Sequence, residues 1–357
     1  MGLKILISMR NLFRYTKKTK DAFIIMGVGL VLGLLYPTLN KGDNLGSVIN
    51  GFIIGVVGSG FIVFNEVVLN VKFLRQLKFK ALVLFKTVLY SVFFISIIPI
   101  VVSLTRSREQ NTSFIEYVNG GGLHQFLFHE DFHIIIAYSL VSTAVFIFTY
   151  QMSKKMGQGV MWNFIIGKYH QTREEKRIFL FIDLNNSTTI AQNLGDIEYN
   201  KFLKQFYFDI TDSIISNYGK IYRYVGDEVV ISWRMKKGLE NTNCINTYFQ
   251  AKSALEKKRE YYMNHFGFAP SFSAGYNYGK VIVGEIGDIK SQISFIGKVM
   301  YNTAAIEKYC KKYDTNILIA DKLLKHLKLS SNYNIIKKGE VEITNSTPIP
   351  VSSINLK

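Results

Sequence analysis

FLFIDLNNSTT at residues 179–189 and GKIYRYVGDEVVISW at residues 219–233 are the two runs that decide the fold of this chain. Each run contains an apolar β segment, and each places one aspartate, Asp183 or Asp227, at the tip of that segment. Small and hydroxyl residues beside the aspartates leave backbone N–H groups open to an anion. The two runs therefore predict a site where carboxylates, divalent metal ions and phosphate groups meet.

The pattern around these runs alternates strands with helices. We expect strands at 178–184, 271–277, 280–286, 292–296 and 316–320, a hairpin over 220–233, and helices from 188, over 197–218, over 245–265 and over 300–312. This order predicts an α+β sandwich of the ferredoxin-like type, with helices against one sheet, over residues 177–357.

The residues before this domain are far more apolar. The chain has 357 residues and is 48% hydrophobic, and the apolar residues concentrate in its first part. Four segments are close to the roughly 20 residues that cross a bilayer. They lie at 22–39, 47–69, 81–104 and 132–152, and they predict a transmembrane bundle of four spans over residues 21–152.

The charge distribution predicts which side of the membrane each loop occupies. A net charge of +17 would favour nucleic acid in a soluble chain, but Lys and Arg gather here in residues 1–20, in 71–80 and after the fourth span. Such residues stay on the cytoplasmic side. We therefore expect a multi-pass protein of the inner (plasma) membrane with both termini cytoplasmic, which contacts the lipid bilayer and binds no nucleic acid.

Three further features complete the organisation of the chain. Glu66 and Lys86 lie near the cytoplasmic ends of two spans, where they could pair, although snorkelling to the interface is the favoured interpretation. Residues 153–176 form a predicted helical linker that could pair with its copy in a dimer. Cys244 and Cys310 lack the spacing of metal ligands.

A third run, AGYNYGKVIVGEIG at residues 274–287, follows the first two in order. Together the three runs resemble the catalytic domain of the class III nucleotidyl (adenylate or guanylate) cyclases, here of a membrane-anchored bacterial type. The resemblance implies a head-to-tail dimer, homodimeric or with another cyclase chain, with active sites at its interface. It also implies that two Mg²⁺ or Mn²⁺ ions per site convert a nucleoside triphosphate to a 3′,5′-cyclic nucleotide and pyrophosphate.

The resemblance carries site residues onto this chain position by position. The metal ligands would be Asp183, Asp227 and the carbonyl of Leu184. The triphosphate would lie on the backbone of Asn186, Ser187 and Thr188, at the start of a helix.

Selection of the base would fall to Arg223 and Ser294. Family adenylate cyclases carry lysine at the first position and guanylate cyclases carry glutamate. Arginine offers only hydrogen-bond donors, which argues against the N1–H and amino group of guanine and favours adenine. Arg223 would also suit the carbonyl groups of a pyrimidine.

The sequence departs from the family over residues 295–307. Family members place there an asparagine that orients the ribose and an arginine that stabilises the transferring phosphoryl group. An ungapped alignment puts Tyr301 and Ala305 at these positions, whereas a shift of one residue puts Asn302 and Ile306 there. The arginine is missing in both alignments, and such a donor can be worth about 10² in rate or more.

A lysine that family members direct to the γ-phosphate would fall near Ser346. Three hypotheses remain: a weakly active homodimer in which Lys298 or Lys308 replaces the arginine, a heterodimer whose partner supplies it, or a silent homologue that binds nucleotide or regulates another cyclase chain. The intact aspartates favour retained catalysis.

Overall fold

The structure is a computed structural model that describes residues 21–35, 37–38, 45–68, 77–129, 132–157, 160–343 and 347–357. The chain divides into two compact units between Met156 and Gly157. The predicted basic lead over 1–20 and the position of Ser346 lie outside the described residues.

The unit that ends at Met156, called the membrane unit below, is helical in its described part. Its helices are α1 (Asp21–Leu35), α2 (Leu45–Val63, continued as a π-helix over Phe64–Val68), α3 (Phe79–Glu109), α4 (Phe114–Asn119), α5 (Gly122–His129) and α6 (Phe132–Met156).

Within the described residues, three helices are long and apolar enough to cross a membrane: Leu45–Glu66, Phe79–Glu109 and Phe132–Ser153. They coincide with three of the four predicted spans. The first predicted span corresponds to α1, a shorter apolar helix over Asp21–Leu35. That this first segment crosses the membrane therefore stays a prediction.

Glu66 and Lys86 form a buried ion pair, so the favoured interpretation of snorkelling is wrong. Lys86 donates a hydrogen bond to Glu66, and the two side chains are only 8% and 2% exposed. Tyr90 and Gln151 also donate to Glu66, each at 3.3 Å. The opposite charge of Lys86 and the added hydrogen-bond donors compensate the loss of hydration of the Glu66 carboxylate. Through these contacts the carboxylate links the end of α2 to α3 and α6.

The predicted helical linker over 153–176 is helical only in part. Helix α6 ends at Met156, Gly157 takes a left-handed φ of 96°, and a short helix α7 covers Val160–Ile165. The first strand already begins at Arg173. Because Gly157 interrupts the helical backbone, the membrane helix does not run unbroken to the sheet.

The unit from Gly157 onward, called the C-terminal unit below, is an α+β sandwich. Its strands are β1 (Arg173–Leu184), β2 (Lys220–Val225), β3 (Glu228–Arg234), β4 (Phe272–Ile286), β5 (Gln292–Ile296), β6 (Ile317–Ala320), β7 (Tyr333–Val341) and β8 (Ile349–Leu356). After α7, its helices are α8 (Ser187–Ser216), α9 (Met235–Leu239), α10 (Asn243–Glu256), α11 (Arg259–Phe266), α12 (Lys298–Lys312) and α13 (Asp321–Leu324).

One mixed sheet organises this unit, with the strand order β2-β3-β1-β4-β6-β8-β7 and β5 added to β4. The paired strands are antiparallel except β4 and β6, which run parallel. The two strands predicted at 271–277 and 280–286 are one continuous strand, Phe272–Ile286, because it pairs with the whole length of β1. The predicted helix over 245–265 is divided into α10 and α11.

Side chains of β1 alternate between the two faces of the sheet, as the period of two requires. Leu180 and Ile182 enter the main core with α8, α10 and α11. Phe179 and Phe181 enter a second, smaller core with Val299 and Met300 of α12. Asp183 follows Phe181 by two residues, so its side chain lies on the same face of the sheet, which is the face that α12 covers.

Candidate active site

The tip of β1 and the turn between β2 and β3 bring the two predicted metal aspartates together. Ile182 of β1 pairs with Val229 of β3, so Asp227 in the adjoining turn lies beside Asp183. The turn has two residues between the strands, and its first, Gly226, takes a φ of 62°. This conformation suits a type II′ turn and favours glycine.

The proximity of the two aspartates perturbs the ionisation of Asp183. Burial raises the pKa of Asp183 to about 6, with further contributions from the negative charge of Asp227 and a hydrogen bond between the two side chains. Two adjacent carboxylates repel each other when both are ionised. A divalent cation between them would remove that repulsion, so the donor set fits Mg²⁺ or Mn²⁺.

Across the described part of the chain, no group of three or more His, Cys, Asp or Glu side chains is arranged to hold a metal ion. Mg²⁺ commonly takes one or two carboxylates and fills its remaining positions with water and substrate phosphate. Asp183 and Asp227 match that requirement. Leu184, the third predicted ligand, is buried at the end of β1, and the role of its carbonyl stays a prediction.

The predicted triphosphate site lies at the start of α8, directly after β1. Asn186 precedes the helix with a left-handed φ of 56°, and Ser187 is its first residue. Asn185 is held in place by hydrogen bonds that link its side chain to Ser271 at 3.2 Å and Ser273 at 2.7 Å. The first N–H groups of a helix have no partner within it, and binding of the triphosphate by those near Thr188 stays a prediction.

Tyr207 of α8 is a site residue that the sequence pattern did not single out. Its hydroxyl donates to the carbonyl of Gly226 at 2.8 Å, which fixes the turn that carries Asp227. Burial, together with the charge of Asp227, raises the pKa of Tyr207. In the sequence, Tyr207 lies among the aromatic core residues of α8, so the pattern gave no indication of this contact.

Glu307 of α12 is a second residue that the sequence analysis missed. The helix crosses β4 at Gly275, where an added Cβ would lie 2.5 Å from the backbone nitrogen of Glu307. Burial raises the pKa of Glu307 to about 8, with added repulsion from Asp183 and Glu228. Lys308 counteracts this rise and acts on Asp183 as well. The site therefore contains further carboxylates beside the aspartate pair, with Lys308 and Arg223 as nearby cations.

Helix α12 also shows where the two alternative alignments place their residues. Ile306 is fully buried in a core cluster, whereas Tyr301 is 76% exposed and Ala305 is partly buried. A charged arginine does not fit the place of Ile306, so the ungapped alignment agrees better with this helix. Asn302 is partly buried, and Lys298 is exposed at the first residue of the helix.

Tyr222 contacts both residues that are predicted to select the base. The register between β2 and β3 shifts between Ile221 and Arg223, which makes Tyr222 a β-bulge. Such a bulge sets two residues against one on the partner strand. The hydroxyl of Tyr222 lies 3.3 Å from that of Ser294, and the Arg223 guanidinium lies 5.3 Å from the Tyr222 ring.

Comparison with known proteins agrees with this fold. Adenylate cyclase 2 of Rhizobium meliloti (strain 1021) is 28% identical over 194 residues, which make up 54% of this chain and 53% of that protein. A solved structure of a bacterial light-regulated adenylyl cyclase has a TM-score of 0.53 at 19% identity, over 62% of this chain and 65% of that one. The C-terminal unit has the class III cyclase fold. The resemblance seen in the three runs is confirmed.

This chain spans about half the length of the curated relative that it matches. The adenylyl cyclase CyaB from P. aeruginosa has a TM-score of 0.45 at 16% identity, over 52% of this chain and 97% of that structure. No protein-family model matches the sequence.

Proposed function

We propose that this chain is a membrane-bound nucleotidyl cyclase that converts a nucleoside triphosphate, with a preference for ATP, to a 3′,5′-cyclic nucleotide and pyrophosphate. The observation that carries the proposal is the juxtaposition of Asp183 and Asp227 at the start of α8. The similarity to Adenylate cyclase 2 supports the reaction class.

Each part of the site has a role in this reaction. Two bound Mg²⁺ or Mn²⁺ ions would activate the ribose 3′-hydroxyl and neutralise charge on the leaving pyrophosphate. Asp183 and Asp227 would hold them, with the carbonyl of Leu184 as a further ligand. Backbone N–H groups at Asn186, Ser187 and Thr188 would bind the triphosphate.

Positive charge near the transferring phosphoryl group would come from Lys308. Of the two lysines considered as replacements for the missing arginine, Lys308 acts electrostatically on Asp183, Glu228 and Glu307. Lys298 and Asn302, at the start of the same helix, would contact substrate across the interface between two chains.

Dimerisation is supported by apolar side chains that the C-terminal unit leaves exposed. Ile282 of β4 pairs with Ile296 of β5, and these side chains are 40% and 52% exposed. Tyr301 of α12 is 76% exposed. Exposed apolar residues on the elements that carry predicted substrate contacts are typical of a surface covered by a partner.

We propose a cytoplasmic catalytic domain and an inner-membrane anchor, with both termini in the cytoplasm.

A second function, that of a silent homologue, is favoured by one observation. The positions of the ribose asparagine and the transition-state arginine are Tyr301 and Ala305 on the partly accessible side of α12. Neither side chain can supply a positive charge. Such a chain would bind nucleotide, or regulate another cyclase chain, without turnover.

Full-length protein, purified with Mn²⁺ and each of ATP, GTP, CTP and UTP, tests these functions. Cyclic nucleotide and pyrophosphate are measured for the natural chain and for Asp183→Asn and Asp227→Asn, which keep the side-chain shape. We expect one preferred cyclic product and its loss in both variants. Nucleotide binding without product would instead support the silent homologue, and product that survives both substitutions would exclude two-aspartate catalysis.

A further inference from the structure

The end of the sheet opposite the tip that carries Asp183 is positively charged. Arg177 lies in the first half of β1 and pairs with Arg234 at the end of β3. Lys220, the first residue of β2, pairs with Ser232 of β3. Paired residues, and residues two positions apart on a strand, share one face of a sheet, so the three cations lie on the same face at the same end. At about 3.3 Å per residue, Asp183 is about 20 Å from Arg177 along β1.

The positive charge of this surface is only partly compensated within the C-terminal unit. Arg177 is 3% exposed and donates to Glu175 at 2.6 Å. Lys220 and Arg234 are exposed, and neither forms an ion pair within the described part of the chain. Desolvation lowers the pKa of Lys220, and repulsion from nearby cations adds to this effect, whereas the charge of Glu175 opposes it. These cations are Arg177, Arg234 and Lys168. An anion at this surface would relieve the repulsion.

The linker, which leads into this end of the sheet, carries exposed apolar side chains. Helix α7 covers Val160–Ile165. Trp162, Ile165 and Ile166 are 63%, 64% and 52% exposed. Lys168, one of the cations that act on the sheet end, follows two positions later. Tryptophan and aliphatic side chains beside basic residues are typical of a segment at the boundary between water and lipid.

The position of these residues along the chain favours a bilayer as their partner. Met156 is the last residue of α6, the final helix of the membrane unit. Lys168 follows it by only 12 residues, so the covalent chain keeps this lysine within roughly 40 Å of the end of α6. An anionic leaflet attracts Lys and Arg that lie close to a membrane segment. A second copy of the same surface would instead bring like charges together.

We propose that the linker and this end of the sheet, together called the basic end below, dock onto anionic phospholipid head groups of the bilayer. The head groups are contacted by Lys168, Lys220 and Arg234. Trp162 and Ile165 enter the boundary between head groups and acyl chains. The inference rests on the membrane anchor of the proposed function, and it does not depend on catalysis in the C-terminal unit.

Tryptophan fluorescence of the full-length protein in nanodiscs tests the docking. The chain has two tryptophans, and Trp233 is 1% exposed, so Trp162 is the accessible reporter. The nanodiscs contain phosphatidylcholine with brominated acyl chains, with or without phosphatidylglycerol. Bromine quenches tryptophan only at short range, so the quenching measures entry of Trp162 into the bilayer. Trp162→Phe gives the remaining signal of Trp233.

We expect phosphatidylglycerol to increase the quenching of Trp162, and Lys220→Ala combined with Arg234→Ala to reverse that increase. Each cation near an anionic leaflet contributes about five-fold to binding, so the double variant should lower the ratio of docked to undocked protein about 25-fold. Lys252→Ala with Lys257→Ala is the matched control and should retain the increase. These two exposed lysines lie on and beside α10, which packs on the other face of the sheet. High salt should also reverse the increase in the natural chain, and this measurement needs no variant.

Three results would overturn the proposal. Quenching that is equal with and without phosphatidylglycerol would show that the depth of Trp162 does not depend on anionic head groups. Negligible quenching in every nanodisc would show that protein covers the linker, as when two linkers pair. Failure of the chain to enter nanodiscs would overturn the membrane anchor, and this inference with it.

Discussion

The hydroxyl of Tyr222 lies 3.3 Å from the hydroxyl of Ser294, and it also accepts a hydrogen bond from the backbone N–H of Phe295 at 3.1 Å. The β-bulge at Tyr222 therefore connects β2, which leads into the turn that carries Asp227, with β5, where one predicted base contact lies. The ring of Tyr222 packs 4.6 Å from that of Phe295, which limits its rotation. Tyr222 is in a position to fix how Ser294 meets the base.

Tyr222→Phe should weaken discrimination between ATP and GTP. The substitution keeps the ring but removes the hydroxyl that orients Ser294, and one such hydrogen bond is worth about 1 kcal/mol, or about five-fold. We expect the ratio of kcat/KM for ATP over GTP to fall by about that factor. Tyr224→Phe is the control, because Tyr224 contacts Tyr207 of α8 at 4.4 Å on the other face of the sheet. An equal loss in both variants would assign the effect to folding.

Ala305→Arg should raise cyclase activity, whereas Ile306→Arg should not. Ala305 is only partly buried, so a long charged side chain can leave the helix there, but Ile306 is fully buried. A restored donor for the transferring phosphoryl group can be worth about 10² in kcat. An arginine in the core costs several kcal/mol and should prevent stable folding.

Initial rates and melting curves of full-length protein separate these two variants. Ala305→Gln is the matched control, because it is long and polar but uncharged, and it should leave the rate unchanged. A rate increase with Ile306→Arg instead would support the alignment shifted by one residue.

Glu307→Gln should stabilise the metal-free protein more at pH 8 than at pH 5. Burial raises the pKa of Glu307 from 4.5 to about 8, so the folded state binds its proton more tightly than the unfolded state. Stability is then fully present below pH 4.5 and falls as the pH rises towards 8. Glutamine removes this dependence.

Melting temperatures in EDTA at the two pH values test this prediction. Glu240→Gln is the control, since Glu240 is exposed and paired with Lys237. Equal shifts at pH 5 and pH 8 for Glu307→Gln would contradict a raised pKa.

Lys86→Met should destabilise the membrane unit, and Glu66→Gln together with Lys86→Met should recover much of the loss. Removal of one partner from a buried ion pair typically costs about 3–5 kcal/mol. The double variant leaves a neutral amide near Tyr90 and Gln151, which already contact this position. Thermal unfolding in nanodiscs measures both, with Lys80→Met at an exposed position as the control. Equal stability of the two variants would contradict a coupled pair.

The sequence alone determined most of the elements and the positions of the two aspartates that we propose bind metal. Apolar length predicted four spans, three of which are helices of spanning size in the described residues, and the apolar run in 178–184 predicted β1 with Asp183 at its tip. The hairpin over 220–233, with its turn at Gly226, could also be predicted from local sequence. These features depend on residues near one another in the chain, so local propensity and periodicity are sufficient to predict them.

Only the tertiary structure decided which distant residues meet. Tyr222 reaches Ser294 because a bulge disturbs the alternation on which strand prediction rests, and Glu307 reaches the aspartates because α12 crosses β4 at Gly275. The pairing of Glu66 with Lys86 likewise required the packing of α2 against α3. Each contact joins residues 20 or more positions apart along the chain, and its geometry is fixed by the packing of whole elements rather than by local sequence.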